Sequence, residues 1–425
     1  MVALLAATAP AAASAGWGRP FELVKPGTLD YLPTQLAFSR SGAAAAGLAI
    51  GDLDTAGSTQ AYLVSRSPRG AVGAPHKLAG ASEVIALGYA GSSLELLTGT
   101  TPGDLDCCST VQALRVSGRG AVQRHQTLVS GLTGATLGQL IDLADGRMMA
   151  AVATEGGVWV TQSSKRGVFA AKRRLTGAAQ SPQSLTAAWL GGENSLVAWT
   201  AASGPAGSAT PRSIYYSLGS KSGGPRHPHS LLQVAAGHRI DQLAVTRRGS
   251  SATAAWIESY SDRRGAFHSQ VMAADFGARH PMSRTLSAGG GQAAGLGLAS
   301  DAAGAQAVAW ESCTSAGSCT VRAATRGPNG HFGHGALLGS IDASQTPSVA
   351  VGPTGQVIVG WVRAGHPVAA VGSASSGRFG AAHVLSATTF ALDLTLTFGP
   401  RRDALVAWTQ GTLNSSVVAA DYRAP

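Results

Sequence analysis

Charge, aromatic rings and glutamate are all scarce in this sequence. Charged residues make up 13% of the chain and aromatics 6%. Beyond residue 15 no apolar stretch repeats at helical spacing, which argues against helical bundles and alternating helix–strand folds. No stretch approaches the roughly 20 apolar residues that a membrane helix needs. The sequence contains no G-x-S-x-G elbow, P-loop, G-x-G-x-x-G strand–helix turn or H-E-x-x-H motif. The usual signatures of serine hydrolysis, nucleotide binding and zinc proteolysis are therefore missing. Seven glutamates leave little material for chemistry that needs paired carboxyl groups.

What is abundant is glycine, with 56 residues, alongside alanine, serine and threonine. That is the composition of a turn-rich all-β chain. One phrase returns: LVAW ending at Trp199, TAAW at Trp256, AVAW at Trp310, VIVGW at Trp361 and LVAW at Trp408, with intervals of 57, 54, 51 and 47 residues. A period near 50 built from short apolar strands predicts a β-propeller. The clearest unit spans 345–386 and contains four strands separated by the turns Gly352–Gly355, Gly365-His366 and Ser376–Gly380. Laid along the chain, this pattern predicts blades starting near 34, 82, 136, 182, 239, 292, 345 and 390. Eight four-stranded blades are expected, with seven as the alternative because the first three repeats are degenerate. The last unit holds three strands, and Arg19-Pro20-Phe21 resembles Gly377-Arg378-Phe379. An N-terminal strand should therefore complete the last blade and close the ring. The five repeated tryptophans are expected in the layers between blades. Trp17, Trp159 and Trp189 fall off the pattern and are the candidate exposed rings.

Residues 1–15 end in Ala13-Ser14-Ala15 and read as a secretory signal cleaved before Gly16. A single propeller domain is expected over 16–425, secreted or at the cell surface. Four cysteines suit an oxidising compartment. Cys313 and Cys319 flank a short loop and should bond across a hairpin. Cys107 and Cys108 are adjacent and either pair with each other or stay free. The formal net charge is +10, but the basic residues are scattered singly or in pairs. Without a clustered patch no nucleic-acid partner is expected, and abundant Arg, Ala and Gly fit GC-rich coding.

Three sets of residues carry candidate chemistry. Gly51-Asp52-Leu53-Asp54 recurs as Gly103-Asp104-Leu105-Asp106. The first copy, LAIGDLDTAGSTQAYLV, resembles the calcium loops of FG-GAP propellers. That resemblance implies Asp52, Asp54, Asp104 and Asp106 as calcium ligands. The later acidic positions hold Ala56 and Gln60 in one copy, and Cys108 and Gln112 in the other. Two carboxylates make a poor cage for an ion that wants six to eight oxygens, so no cofactor is expected. Second, Glu155, Glu258 and Glu311 lie at or just beyond second-strand ends, where a propeller mouth could use them for glycoside cleavage. The chain resembles a secreted bacterial sialidase-type propeller in its blade pattern, but the Asp-box of that family is absent. Third, His227, His229, His238, His268, His280, His331 and His334 are expected as solvated loop residues.

The sequence thus predicts a monomeric, non-enzymatic propeller that binds a glycan or a protein. The alternatives are a sialidase-like glycoside hydrolase or lyase with carboxylates at the channel mouth, and a structural component of the cell envelope.

Overall fold

A computed structural model describes residues 16–25, 30–31, 35–51, 59–100, 109–118, 120–132, 136–143, 145–176, 182–192, 194–202, 210–220, 224–276, 283–287, 291–343, 345–411 and 415–424. These residues form eight antiparallel blades and no helix. The blades span 35–77, 83–130, 137–174, 182–233, 238–285, 292–340, 348–384 and 391–423. Every expected start lies within three residues of the observed one.

In each blade the strands follow one another outward in chain order. The first strands of neighbouring blades touch all the way round, including blade 8 against blade 1, and so line the axis. Phe21–Val24 pairs antiparallel with Ser416–Arg423, opposing Phe21 to Ala419 and Val24 to Val417. The N-terminal strand is therefore the fourth strand of blade 8, as the sequence pattern predicts. Arg66 of blade 1 adds an ion pair to Asp421 of blade 8 at 2.5 Å.

The second strands read as unbroken apolar runs because both of their faces are buried. Successive side chains point to opposite faces. Leu196 and Ala198 enter the cluster shared with blade 5, whereas Val197 and Trp199 enter the cluster shared with blade 3. Each interface between neighbouring blades holds one such cluster. Trp199, Trp256, Trp310, Trp361 and Trp408 are each at most 1% exposed and point back toward the preceding blade. They are core residues, as expected.

A turn that sequence reasoning did not single out recurs throughout. In Ser39–Ala43, Ser67–Ala71, Ser117–Ala121, Asp262–Ala266 and Asp301–Ala305 the first backbone N–H donates to the fifth carbonyl. The first side chain accepts from the fifth N–H in each. The fourth residue is glycine, at φ +87° in Gly42 and +96° in Gly304, a conformation that disfavours a Cβ. Ser/Asp-x-x-Gly was thus a legible signature of these hairpins.

Candidate functional site

Antiparallel order sorts the loops onto two faces. Hairpins between first and second, and between third and fourth, strands leave from one face, here the hairpin face. Second–third loops and the crossovers between blades leave from the other, the crossover face.

All three candidate glutamates lie toward the crossover face, on different blades and in different surroundings. Glu155 is exposed in the turn between Met148–Thr154 and Gly157–Gln162. Glu258 sits on Ser251–Ser261, its Oε1 2.6 Å from Nδ1 of His238. Glu311 is 4% exposed, with Oε1 3.2 Å from Sγ of Cys313. Cys313 and Cys319 are joined in a disulfide across their hairpin. Glu311, Cys313 and Cys319 cluster closely enough to hold a metal, but the disulfide leaves no thiolate to bind one. Asp52, Asp54, Asp104, Asp106, Cys107 and Cys108 lie outside the described residues, each group between the second and third strands of its blade.

The channel offers a more complete site. A cavity of about 460 Å3 opens between the first strands of blades 6, 7 and 8 and Gln35 of blade 1. Its polar lining comes from Gln35, Gln345, Thr346, Ser348, Asp393 and Thr395. A β-bulge builds it: pairing of Ala391–Phe398 with its neighbour skips from Leu392 to Thr395. Asp393 sits in the bulge at φ +49°, and such bulges re-aim side chains. A matching skip in blade 6, from Ala294 to Gly297, frees Gly295 and Leu296. Asp393 is open to channel water, yet the enclosing protein desolvates its carboxyl and raises its pKa. None of Glu155, Glu258 and Glu311 lines this cavity. The arrangement supplies amides, hydroxyls and one carboxyl, which suits hydrogen bonding to a polar ligand.

A second cluster lies on blade 5. His238 stacks on Tyr260 at 4.4 Å between ring centroids, and Tyr260 on His268 at 5.2 Å. Cross-strand register opposes all three residues. Glu258 holds one end of the ladder, and Asp262 holds the other through His268 at 3.2 Å. Hydrogen bonds from His268 and from the N–H groups of Ala266 and Arg264 keep the Asp262 pKa below its ordinary value. The expectation that these histidines lie in loops is corrected here: His238 and His268 are strand residues, as is His229. His227, His331 and His334 do lie between strands, and His280 is outside the described residues.

The three off-pattern tryptophans are partly exposed. Arg247 lies over Trp189 at 4.7 Å, Arg174 over Trp159 at 5.5 Å, and His383 stacks with Trp17 at 6.5 Å.

No protein-family model matches the chain, and no curated protein does. Solved structures share its fold. The Dos1 propeller superposes with a TM-score of 0.52 at 12% identity, covering 95% of this chain and 94% of that one. A puromycin hydrolase variant gives 0.50 at 15% identity, covering 91% of this chain but 58% of its own. A polysaccharide lyase, an ulvan lyase, gives 0.46 at 12% identity over 95% and 94%. At such identities the likeness to the Dos1 propeller and the puromycin hydrolase variant shows the β-propeller fold alone, and one fold hosts unrelated functions.

Proposed function

We propose that this chain is an extracellular, non-enzymatic binding scaffold whose channel takes a polar ligand, a glycan or a segment of protein. The observation that carries the reading is the channel cavity with its mixed amide, hydroxyl and single-carboxyl lining. Hydrolysis by paired carboxyl groups needs a second acid about 5–10 Å away, and the cavity lining holds one acid, Asp393. The Cys313–Cys319 disulfide supports an oxidising location, as does the signal-like segment 1–15. In this reading 16–425 is one domain, a monomer with no nucleic-acid partner and no required cofactor. A glycan and peptide array with purified protein tests it. Saturable binding that weakens in Gln345→Ala and Asp393→Ala supports the channel site. Binding that both variants leave untouched removes it.

One observation favours the enzymatic alternative. Glu258 and His238 form a carboxylate–imidazole pair at the crossover face, a pairing that can move protons. Cleavage of an array ligand that is abolished in Glu258→Gln would replace the binding reading with that one.

A further inference from the structure

Folding places many of the scattered basic residues on the hairpin face. Arg69, Arg166, Arg226 and Arg378 occupy the third–fourth hairpins of blades 1, 3, 4 and 7, and all are exposed. Arg19 takes the corresponding place beside the N-terminal strand that completes blade 8. Arg401 and Arg402 add an exposed pair at the first–second hairpin of blade 8.

Most acids at this face are already engaged. Asp142 pairs with Arg40, Asp421 with Arg66, Glu95 with Arg115 and Asp145 with Arg147. Asp275 is held by Arg248 and Arg326, and Asp301 caps its own turn. The crossover face is more evenly balanced. Its described acids include Glu22, Glu155, Asp241, Asp262, Asp342 and Asp393, and its described cations include Lys25, Arg212, Arg239, Arg263, Arg264 and Arg363. A coding bias toward arginine would load both faces alike, so it does not account for a surplus of exposed cations on the hairpin face.

We infer that the hairpin face docks flat on an anionic lipid surface. The geometry selects this partner. Cations on the outer edges of five blades around a disc can meet a plane at once. A single polymer strand crossing the disc meets only those along its path. Each cation near an anionic bilayer adds attraction that is additive to a first approximation. Docking this way leaves the crossover face and its end of the channel pointing outward. The inference goes beyond the channel reading and does not depend on it.

The test is co-sedimentation of the purified protein with phosphatidylcholine vesicles containing about one third phosphatidylglycerol, an anionic-leaflet mimic. Two variants lose equal charge: R69Q/R166Q/R226Q/R378Q on the hairpin face and R239Q/R263Q/R264Q/R363Q on the crossover face. Wild type should bind anionic but not neutral vesicles, and should release as salt shortens the screening length from about 30 Å at 0.01 M to 3 Å at 1 M. The hairpin-face variant should bind on the order of a hundredfold more weakly or worse, and the crossover-face variant should bind as wild type. Matching denaturation midpoints confirm that both fold. Absence of vesicle binding at low salt overturns the inference, and so does equal weakening of both variants. Capture on a soluble polyuronate without vesicle binding assigns the face to an acidic polymer instead. Loss of vesicle binding with the channel ligand still bound refutes this inference alone.

Discussion

Blades 1–3 and blades 4–8 solve the same packing problem with different side chains. Counting five residues on from the end of the first hairpin, blades 4–8 place tryptophan at 199, 256, 310, 361 and 408, whereas blades 1–3 place Leu48, Thr98 and Val152. All eight are at most 3% exposed. Leu48 and Val152 face the preceding blade as the tryptophans do. The position is thus structurally constant while its occupant is not. Burial demands a side chain there but does not demand a large one, provided neighbours fill the gap. At the blade 2–blade 3 interface they do, for a Cβ on Gly138 would come within 2.5 Å of Ile85. In blade 6 the reverse holds, and a Cβ on Gly335 would come within 2.4 Å of the Trp310 ring.

The largest test of this contrast is truncation. Trp310→Ala should destabilise the protein by about 3–5 kcal/mol, the usual cost of removing a buried ring. Thr98→Val should cost under about 1 kcal/mol or add stability, because the Thr98 hydroxyl is buried without a partner among the described residues. Denaturant midpoints compare the two. Similar losses at both positions would mean that the tryptophans are not the dominant fill between blades.

Ionic contacts differ between the two regions as well. Arg326, 4% exposed, ties blade 6 to blade 5. It donates to Asp275 at 2.6 Å, to Gln306 at 2.6 Å and to Thr253. Arg326→Met should cost about 2–3 kcal/mol, near the lower end for a broken buried pair because Asp275 is partly solvated. Burial acts to raise the Asp275 pKa, but hydrogen bonds from Arg326 and Thr253 and the charges of Arg326 and Arg248 outweigh it. Its pKa is lowered overall, so its contribution is complete above the unfolded value near 4 and fades as pH falls through the folded value. Arg326→Met should therefore lose less stability at pH 3 than at pH 7 by the same denaturation assay.

Blade 2 should behave oppositely. Glu95 is 1% exposed, and burial outweighs Arg115 and Arg124 to push its pKa up to about 7. The fold favours the protonated acid. That contribution is complete below the ordinary value of 4.5 and is lost as pH rises through about 7. Glu95→Gln should raise the unfolding midpoint at pH 8 and change it little at pH 4.5. An unchanged midpoint at pH 8 would mean that Arg115, at 3.3 Å, compensates the buried charge fully.

The same contrast explains what the sequence could reveal. Blade boundaries, ring closure and the tryptophan layers were legible because each rests on local pattern: apolar runs, Gly and Pro turns, a fixed interval. The Ser-x-x-Gly turn at Ser39, Ser67 and Ser117 is equally local. Features that depend on register were not legible. Asp393 lines the channel because one strand skips from Leu392 to Thr395, and nothing in ALDLTLTF marks that skip. His238, Tyr260 and His268 stack only because three strands align. The basic face needed every strand direction to be known: Arg69 and Arg166 share a Ser-x-Arg-Gly turn, but Arg226 and Arg378 join them only through their place in a third–fourth hairpin.

The smallest test lies within the tryptophan set. Trp361 donates its indole N–H to the Ser340 carbonyl at 2.9 Å, joining blade 7 to the outer strand of blade 6. Trp256 and Trp310 have no indole acceptor among the described residues. Replacing each by phenylalanine removes similar volume, so the common packing loss cancels when the variants are compared. What remains is one net hydrogen bond, worth about 1 kcal/mol. Trp361→Phe should unfold at a lower denaturant concentration than Trp256→Phe by that margin. If Trp256→Phe is the weaker protein, size alone sets the role of these rings, and the hydrogen bond to Ser340 adds nothing to the joint between blades.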